Sequence, residues 1–181
     1  FRANYFVNGE HRGGCFRVIP ADIPSFQWAN FPVAIAQRLT RIRNGLILFS
    51  GVTGAGKTTS LAMIINLLMQ AGGLRIITVE EPVEYVFPAH GDSIITQREV
   101  GRDVRSFADG LKYGLRQDPD VILVGEIRDQ QTAQMALSAA ETGHLVFSTL
   151  HTRDAKGAIS RYADFFPQTV QNEIRSQLSQ S

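Results

Sequence analysis

Short apolar runs alternate along most of the chain with longer segments whose apolar positions recur at helical spacing. The runs predict buried strands at 46–49, 75–79, 93–96, 121–124 and 145–150. The longer segments predict helices at 32–43, 58–70, 106–116, 130–141, 155–165 and 169–178. Strands that alternate with helices indicate an α/β fold with a parallel sheet and helices on both faces. Ligands of such sheets bind beyond the carboxyl ends of the strands.

The beginning of the chain has a different pattern. Residues 1–7 and 14–19 are rich in aromatic and β-branched residues and flank a polar stretch, which predicts a hairpin with its turn at 8–13. A lone hairpin is marginally stable in water, so we interpret it as the end of another domain. The prolines at 20 and 24 then predict a connecting segment. We therefore divide the chain into a hairpin segment at 1–22, a linker at 23–27 and an α/β domain at 28–181.

Composition excludes several classes of protein. Apolar residues make up 44% of the chain, enough for a globular core, and 18 basic residues nearly balance 17 acidic ones. Bulk charge therefore gives no argument for nucleic acid or a membrane surface. No apolar run approaches the roughly 18 residues of a membrane span, and we find no signal peptide. The single cysteine, Cys15, excludes an internal disulfide and a cysteine-rich zinc site. We expect a soluble, cytoplasmic protein.

The strand at 46–49 and the helix at 58–70 enclose a phosphate-binding loop. Its sequence, GVTGAGKTT at 51–59, fits the pattern G-x-x-x-x-G-K-[ST]. Glycines let the backbone turn and expose its N–H groups, and the helix N-terminus adds a positive dipole. Lys57 supplies a charge for the β- and γ-phosphates, and the Thr58 hydroxyl is placed to bind Mg²⁺. The candidate nucleotide-binding residues are Gly51, Val52, Thr53, Gly54, Ala55, Gly56, Lys57, Thr58 and Thr59.

Carboxylates follow two other predicted strands. Glu126 ends the run at 121–124, which we interpret as the acidic strand that sits beside the phosphate-binding loop. Its carboxylate can hold Mg²⁺ through water or polarise the attacking water. A second group crowds the end of the strand at 75–79 and consists of Glu80, Glu81 and Glu84. Such carboxylates repel one another unless a cation or ordered water compensates, and a solvated acidic turn is the alternative interpretation.

Two histidines, His144 and His151, bracket the strand at 145–150. Each alone is more often a packing or capping residue, whereas the pair can sense a γ-phosphate or contact the acidic segment. These residue types point to phosphoryl transfer from a nucleotide. A P-loop kinase, a nucleotide-gated module without turnover and a DNA translocase are the alternatives. A kinase needs a second-substrate pocket and a lid, for which we find no segment.

Four sequence blocks together resemble the type II/IV secretion ATPases, and among them the pilus-retraction motors. The blocks are a Walker A loop at 51–59, an Asp box at 77–85, a Walker B segment at 118–129 and a His box at 142–152. Residues 97–103 are also similar to the retraction motors. The resemblance implies a RecA-like P-loop core preceded by a remnant of a PAS-like N-terminal domain. It implies that Glu84 activates the attacking water and that Glu126, with Lys57, completes the catalytic set.

The same resemblance implies further site residues and partners. Arg2, Arg12 and Arg17 match arginines of the N-terminal domain, some of which act as arginine fingers, although a solvated strand residue is an equal alternative for each. The implied cofactors are ATP and Mg²⁺. The implied partners are other copies in a hexamer and the inner-membrane pilus platform protein, without nucleic acid or membrane insertion. The implied location is the cytoplasm, at the inner face of the membrane.

Three departures from the family pattern qualify these expectations. Glu81 stands where the Asp box has aspartate, and Ala55 stands where the Walker A loop often has serine. The family's C-terminal helices and most of its N-terminal domain lie outside the sequence, so we expect nucleotide binding with impaired assembly or hydrolysis. The absence of a four-cysteine insert favours retraction over the pilus-assembly and type II secretion ATPases, which stay open as alternatives.

Overall fold

The computed structural model describes residues 2–20, 22–89 and 91–181. The strands are β1 (Arg2–Asn8), β2 (His11–Arg17), β3 (Gly45–Ser50), β4 (Arg75–Glu80), β5 (Ile94–Glu99), β6 (Val121–Val124) and β7 (Leu145–Leu150). The helices are α1 (Val33–Leu39), α2 (Lys57–Ala71), α3 (Phe107–Gly114), α4 (Gln130–Glu141), α5 (Ala155–Ala163) and α6 (Gln171–Leu178). A 3-10 turn, Leu115–Gln117, continues α3. The predicted α/β fold is confirmed.

The main sheet is parallel and has the strand order β3-β7-β6-β4-β5. Every residue of β6 and β7 is buried, whereas β3 and β5 at the two margins are mostly half-buried. One prediction is wrong here, because the strand that leads to Glu126 does not lie beside the strand of the phosphate-binding loop. β7, whose six residues are all buried, including the polar Ser148 and Thr149, takes the position between them.

Alternating side chains of the central strands face two separate cores. One core lies under α2 and contains, from β6 and β7, Val121, Leu123, Leu145 and Phe147. The other lies under α3, α4 and α5 and contains Ile122, Val124, Val146 and Leu150. A parallel sheet covered by helices on both faces follows from this alternation, and the strand ends are left to carry polar residues.

The hairpin at the start of the chain is tighter than predicted. β1 and β2 pair antiparallel from Arg2 with Arg17 to Asn8 with His11, so the loop is Gly9-Glu10 rather than 8–13. Gly9 has a φ of 61°, which suits the first position of a two-residue hairpin loop. The predicted first strand included Phe1, and the prolines at 20 and 24 enclose Ala21; both residues lie outside the described ranges.

Most other element boundaries shift by a few residues. α1 ends at Leu39 rather than 43, because the chain turns at Thr40, whose hydroxyl donates to the carbonyl of Gln37. β5 continues to Glu99 rather than 96, because its polar residues pair with the end of β4. α5 ends two residues earlier and α6 begins two residues later than predicted. Among the described residues, no helix is both long enough and apolar enough to cross a membrane.

Candidate nucleotide-binding site

A cleft of about 470 Å³ opens beyond the carboxyl ends of β3, β4, β6 and β7. This volume lies within the range of about 300–1,000 Å³ that small-molecule sites occupy. Its lining combines the phosphate-binding loop, the acidic segment after β4 and the start of the chain. The polar and charged lining residues include Thr53, Lys57, Thr58, Thr59, Glu80, Glu81, Glu84, Glu126, Thr149, His151, Arg2 and Arg17.

The phosphate-binding loop is shaped for an anion at the N-terminus of α2. Gly54 and Gly56 have φ values of 81° and 86°, a left-handed conformation that glycine adopts without steric cost. Gly56 caps α2 without a side-chain hydrogen bond, so the first N–H groups of the helix face the cleft. The Lys57 ammonium donates to the carbonyls of Gly51 and Val52, at 2.7 and 3.0 Å. This lysine is thus held over the loop, where a phosphate group can replace the two carbonyls.

Glu80 is a buried carboxylate at the end of β4, with 6% of its surface exposed. The Thr78 hydroxyl donates to its Oε1 at 2.6 Å, and the Gln97 amide donates to the same oxygen at 3.1 Å. Burial raises the pKa of Glu80, and these hydrogen bonds, with one from the backbone of Glu84, only partly offset the increase. Glu80 therefore belongs to the floor of the cleft, and its ionised form is the costly one.

Arg128 joins the two acidic segments of the cleft. One nitrogen of its guanidinium pairs with Glu81 and another pairs with Glu126. The pKa of Arg128 is raised, first of all by the hydrogen bond to Glu126. Glu126 has 19% of its side chain exposed, and its second oxygen lies 3.6 Å from Nε2 of His151. Both oxygens of Glu126 thus face a nitrogen of a basic side chain.

Glu84 has a looser environment than the other acidic residues. Its nearest basic partner is Arg17 of β2, with 3.9 Å between the guanidinium and Oε1 of Glu84. The two side chains are 73% and 38% exposed, respectively. Solvent screens such a pair and leaves it little energetic weight. The Glu84 carboxylate therefore remains available for a ligand or a water in the cleft.

The structure separates some residues that the sequence analysis grouped together. His144 precedes β7 and His151 follows it, so roughly 20 Å of extended strand lies between them. Nδ1 of His144 lies 3.0 Å from the carbonyl of Ala139 near the end of α4, which is the position of a capping residue. Arg12 lies next to the hairpin turn, about 17 Å along β2 from Arg17. Of these four residues, the structure brings His151 and Arg17 to the cleft.

Three further residues take part in the site without having been singled out from the sequence. Arg128 bridges the acidic segments, Gln97 contacts Glu80, and the Tyr85 hydroxyl lies 3.1 Å from the hydroxyl of Thr59. Arg128 offered a signal, since a basic residue closely followed a strand-end carboxylate. Gln97 follows the strand predicted at 93–96 and begins the block at 97–103, but nothing in the sequence indicated its contact with Glu80.

The residues of the cleft suit a metal ion that takes its remaining ligands from the phosphates of a nucleotide. In the described ranges, no group of three or more histidine, cysteine or acidic side chains is arranged to hold a metal by itself. The Thr58 hydroxyl is exposed at the N-terminus of α2, and Glu126 lies across the same cleft. This small oxygen donor set suits Mg²⁺, which keeps water and takes phosphate oxygens as its other ligands.

Comparisons with known proteins agree with this geometry. The model of the family described as type II/IV secretion system protein matches residues 19–180. A twitching motility protein from Neisseria gonorrhoeae is 44% identical over 181 residues, which are 100% of this chain and 48% of that protein. The type IV pilus retraction ATPase PilT from Pseudomonas aeruginosa is 41% identical over 181 residues, which are 100% of this chain and 52% of that protein.

A solved structure shows the same fold. The crystal structure of the pilus retraction motor PilT with bound ADP superposes with a TM-score of 0.92 at 49% identity, over 99% of this chain and 52% of that one. The chain thus spans about half the length of the curated relatives it matches. The match to the family model covers nearly the whole chain, and with these identities it confirms the resemblance drawn from the four motif blocks: the chain belongs to the type II/IV secretion system protein family.

Proposed function

We propose that this chain forms the ATP-binding and ATP-hydrolysing part of a hexameric motor that drives type IV pilus retraction. The observation that carries the proposal is the cleft, where a phosphate-binding helix N-terminus faces Glu84 and Glu126. A relative named a pilus retraction ATPase and a PilT structure with bound ADP support the choice of reaction and nucleotide. On this proposal the motor works in the cytoplasm, at the inner face of the membrane, and pulls on the pilus platform protein.

The phosphates bind at the N-terminus of α2. The free N–H groups of the loop and the helix donate to phosphate oxygens, and the helix dipole favours their negative charge. Lys57 exchanges its two neutral carbonyl partners for a phosphate, which gives stronger, charge-assisted hydrogen bonds. Thr58, and Glu126 through water, would hold Mg²⁺, which would neutralise charge on the phosphates.

Glu84 activates the attacking water. A general base needs a free lone pair within hydrogen-bond reach of the water. Glu84 meets this condition, because Arg17, its nearest basic neighbour among the described residues, lies 3.9 Å away and is solvated. Glu126 meets it less well, because Arg128 pairs with one of its oxygens and Nε2 of His151 lies 3.6 Å from the other. We therefore assign Glu126 to ordering the cleft, where it would hold Mg²⁺ through water, and we assign Glu84 to accepting the proton of the attacking water.

The hairpin supplies positive charge at the mouth of the cleft. Arg2 and Arg17 are paired across β1 and β2, and both line the cleft. An arginine that closes on the γ-phosphate neutralises charge that develops during its transfer. Movement of the hairpin segment against the P-loop domain then couples hydrolysis to mechanical work. Arg12 has no such part, because it lies at the far end of the hairpin.

Phosphate release tests the proposal. The full-length gene product is assayed at steady state with ATP and Mg²⁺, beside Glu84→Gln and the control Glu141→Gln at the exposed end of α4. We expect Glu84→Gln to bind ATP normally and to lose turnover by about 100-fold or more, as removal of a general base does. The control should turn over as the wild type does. An active Glu84→Gln variant would transfer the role to Glu126.

Other outcomes identify the alternatives. ATP binding without turnover by the assembled wild type indicates a nucleotide-gated module. Phosphate transfer to a small-molecule acceptor indicates a kinase. Cells that lack the gene distinguish the motor types: surface pili that accumulate without retracting support retraction, and cells without pili support an assembly ATPase. Retained pilus dynamics with a loss of protein export support a secretion ATPase.

A further inference from the structure

The segment that carries Glu84 lacks regular structure. Residues 81–87 follow β4 and form neither helix nor strand. No backbone–backbone hydrogen bond of this segment appears among the turns and loops that the structure describes. A segment of this kind loses much conformational entropy on ordering, so other groups must hold it in place. Any role of Glu84 in the cleft depends on those groups.

Side chains of β5 supply three hydrogen bonds to the backbone of this segment, beside the one that the backbone of Glu84 makes to Glu80. Oε2 of Glu99 accepts from the N–H of Val83 at 3.0 Å. Oε1 of Gln97 accepts from the N–H of Phe87 at 3.1 Å, and Nε2 of Gln97 donates to the carbonyl of Tyr85 at 2.9 Å. Residues two apart on a strand lie on the same face, and so do the alternate residues of an extended partner. The two side chains thus act as a substitute for a neighbouring strand.

Gln97 makes most of these hydrogen bonds, and only an amide side chain has both the acceptor and the donors that they need. Its oxygen accepts from Phe87, and its NH₂ group donates both to Tyr85 and to Oε1 of Glu80. A carboxylate at this position would set an oxygen against two acceptors. A hydrocarbon would remove one of the hydrogen bonds to the buried Glu80, which keeps that of Thr78, and would leave the N–H of Phe87 and the carbonyl of Tyr85 without these partners, which costs free energy.

We propose that Gln97 is a positioning residue that holds the 81–87 segment and thereby places the Glu84 carboxylate in the cleft. The inference rests on the proposed role of Glu84. It follows that Gln97 does not touch the nucleotide and that its loss acts on turnover rather than on binding. A displacement of about 1 Å at a reacting group can lower a rate by as much as 100-fold.

The test compares three variants of Gln97 in the full-length gene product. Gln97→Met keeps the length and removes the polar groups, Gln97→Glu keeps the shape and inverts the donors, and Gln97→Asn keeps the amide and shortens its reach. The control Gln70→Glu adds the same charge at the exposed end of α2. We expect Gln97→Met and Gln97→Glu to lower kcat at least about tenfold, with the Kd of ATP within about twofold of the wild type.

Hydrogen exchange supplies a readout that does not depend on hydrolysis. The Phe87 amide should exchange faster in Gln97→Met, because its acceptor is gone, whereas amides of β6 should keep their protection. If the wild type does not hydrolyse ATP, the proposed function fails, and this exchange still decides whether Gln97 holds the segment. If Gln97→Met and Gln97→Glu do not fold, kcat, the Kd of ATP and exchange at Phe87 are compared between Gln97→Asn and the wild type.

Two results would overturn the inference. One is a wild-type kcat with unchanged exchange at Phe87, which would mean that the segment is held by other groups. The other is a parallel loss of kcat, ATP affinity and thermal midpoint, which would make Gln97 a support of the whole fold. A fall in kcat alone with faster exchange at Phe87 supports the inference.

Discussion

The contact between α3 and β4 depends on the missing side chain of Gly110. A Cβ added there would lie 2.6 and 2.7 Å from the two methyl carbons of Val79, which is fully buried. Valine has a stiff χ1 angle and cannot turn these methyl groups away at low cost. Val79 directly precedes Glu80, so a displacement of Val79 by α3 would also shift Glu80 at the floor of the cleft. We predict that Gly110→Ala destabilises the protein.

The magnitude follows from two opposing effects. Overpacking a well-packed core costs about 1–3 kcal/mol, whereas replacing glycine by alanine in a helix gains about 1 kcal/mol. The expected net loss for Gly110→Ala is therefore roughly 0–2 kcal/mol of unfolding free energy. Gly114 is the matched control, because it ends the same helix and its added Cβ would meet Ile77 at 3.4 Å, an ordinary contact. Gly114→Ala should gain up to about 1 kcal/mol.

The comparison is made by urea denaturation followed by far-ultraviolet circular dichroism. The helix-propensity gain is nearly common to both variants, so the difference between them isolates the clash, at about 1–3 kcal/mol. In a domain of this size, each kcal/mol corresponds to roughly 2–4 °C in Tm. Equal stability of the two variants would refute the reasoning, because it would show that α3 is free to move away from Val79.

Three other changes test the charges of the cleft. Arg17→Ala should change the unfolding free energy by less than about 1 kcal/mol, since its ion pair is solvated, but it should lower ATP turnover. The control Arg12→Ala should change neither quantity. Equal turnover in the two variants would contradict the role assigned to Arg17. Arg128→Gln should lower the Mg²⁺ concentration for half-maximal turnover about two- to fivefold, because Glu126 loses the guanidinium that pairs with it. An unchanged Mg²⁺ titration would contradict this prediction. Burial raises the pKa of Glu80, so the folded protein binds its proton more tightly and loses stability as pH rises from the ordinary glutamate pKa through the raised one. Glu80→Gln should gain stability over the wild type as pH rises across that window, and a stability difference that does not depend on pH rules this out.

Local sequence patterns were sufficient for the elements and for the phosphate-binding loop. The boundaries of β6, α4 and β7 agree with the sequence prediction, because each segment has a clear apolar pattern and a polar end. The loop at 51–59 was recognisable because its chemistry is contained in nine consecutive residues. Its glycines, its lysine and the start of α2 act together without help from distant parts of the chain.

The arrangement of the site needed contacts between distant residues. Gln97 and Glu80 are neighbours because β5 pairs with β4, and Arg128 meets Glu81 because β6 lies next to β4. His144 carried the same sequence signal as His151, but the direction of β7 sends it to the opposite edge of the sheet. Whether these side chains are neighbours in space cannot be derived from the local periodicity of the sequence.

Residue type and spacing thus determined which segments form strands and helices, because backbone preference and amphipathic periodicity act over a few residues. Strand order was decided in the tertiary structure, where β7 lies between β3 and β6, because two strands that are both buried throughout have no local pattern that distinguishes their places in the sheet. That order also brought Glu81 and Glu126 to the same guanidinium, that of Arg128, because β4 and β6 are adjacent. Electrostatic interaction depends on distance in space, and only the packed sheet defines that distance.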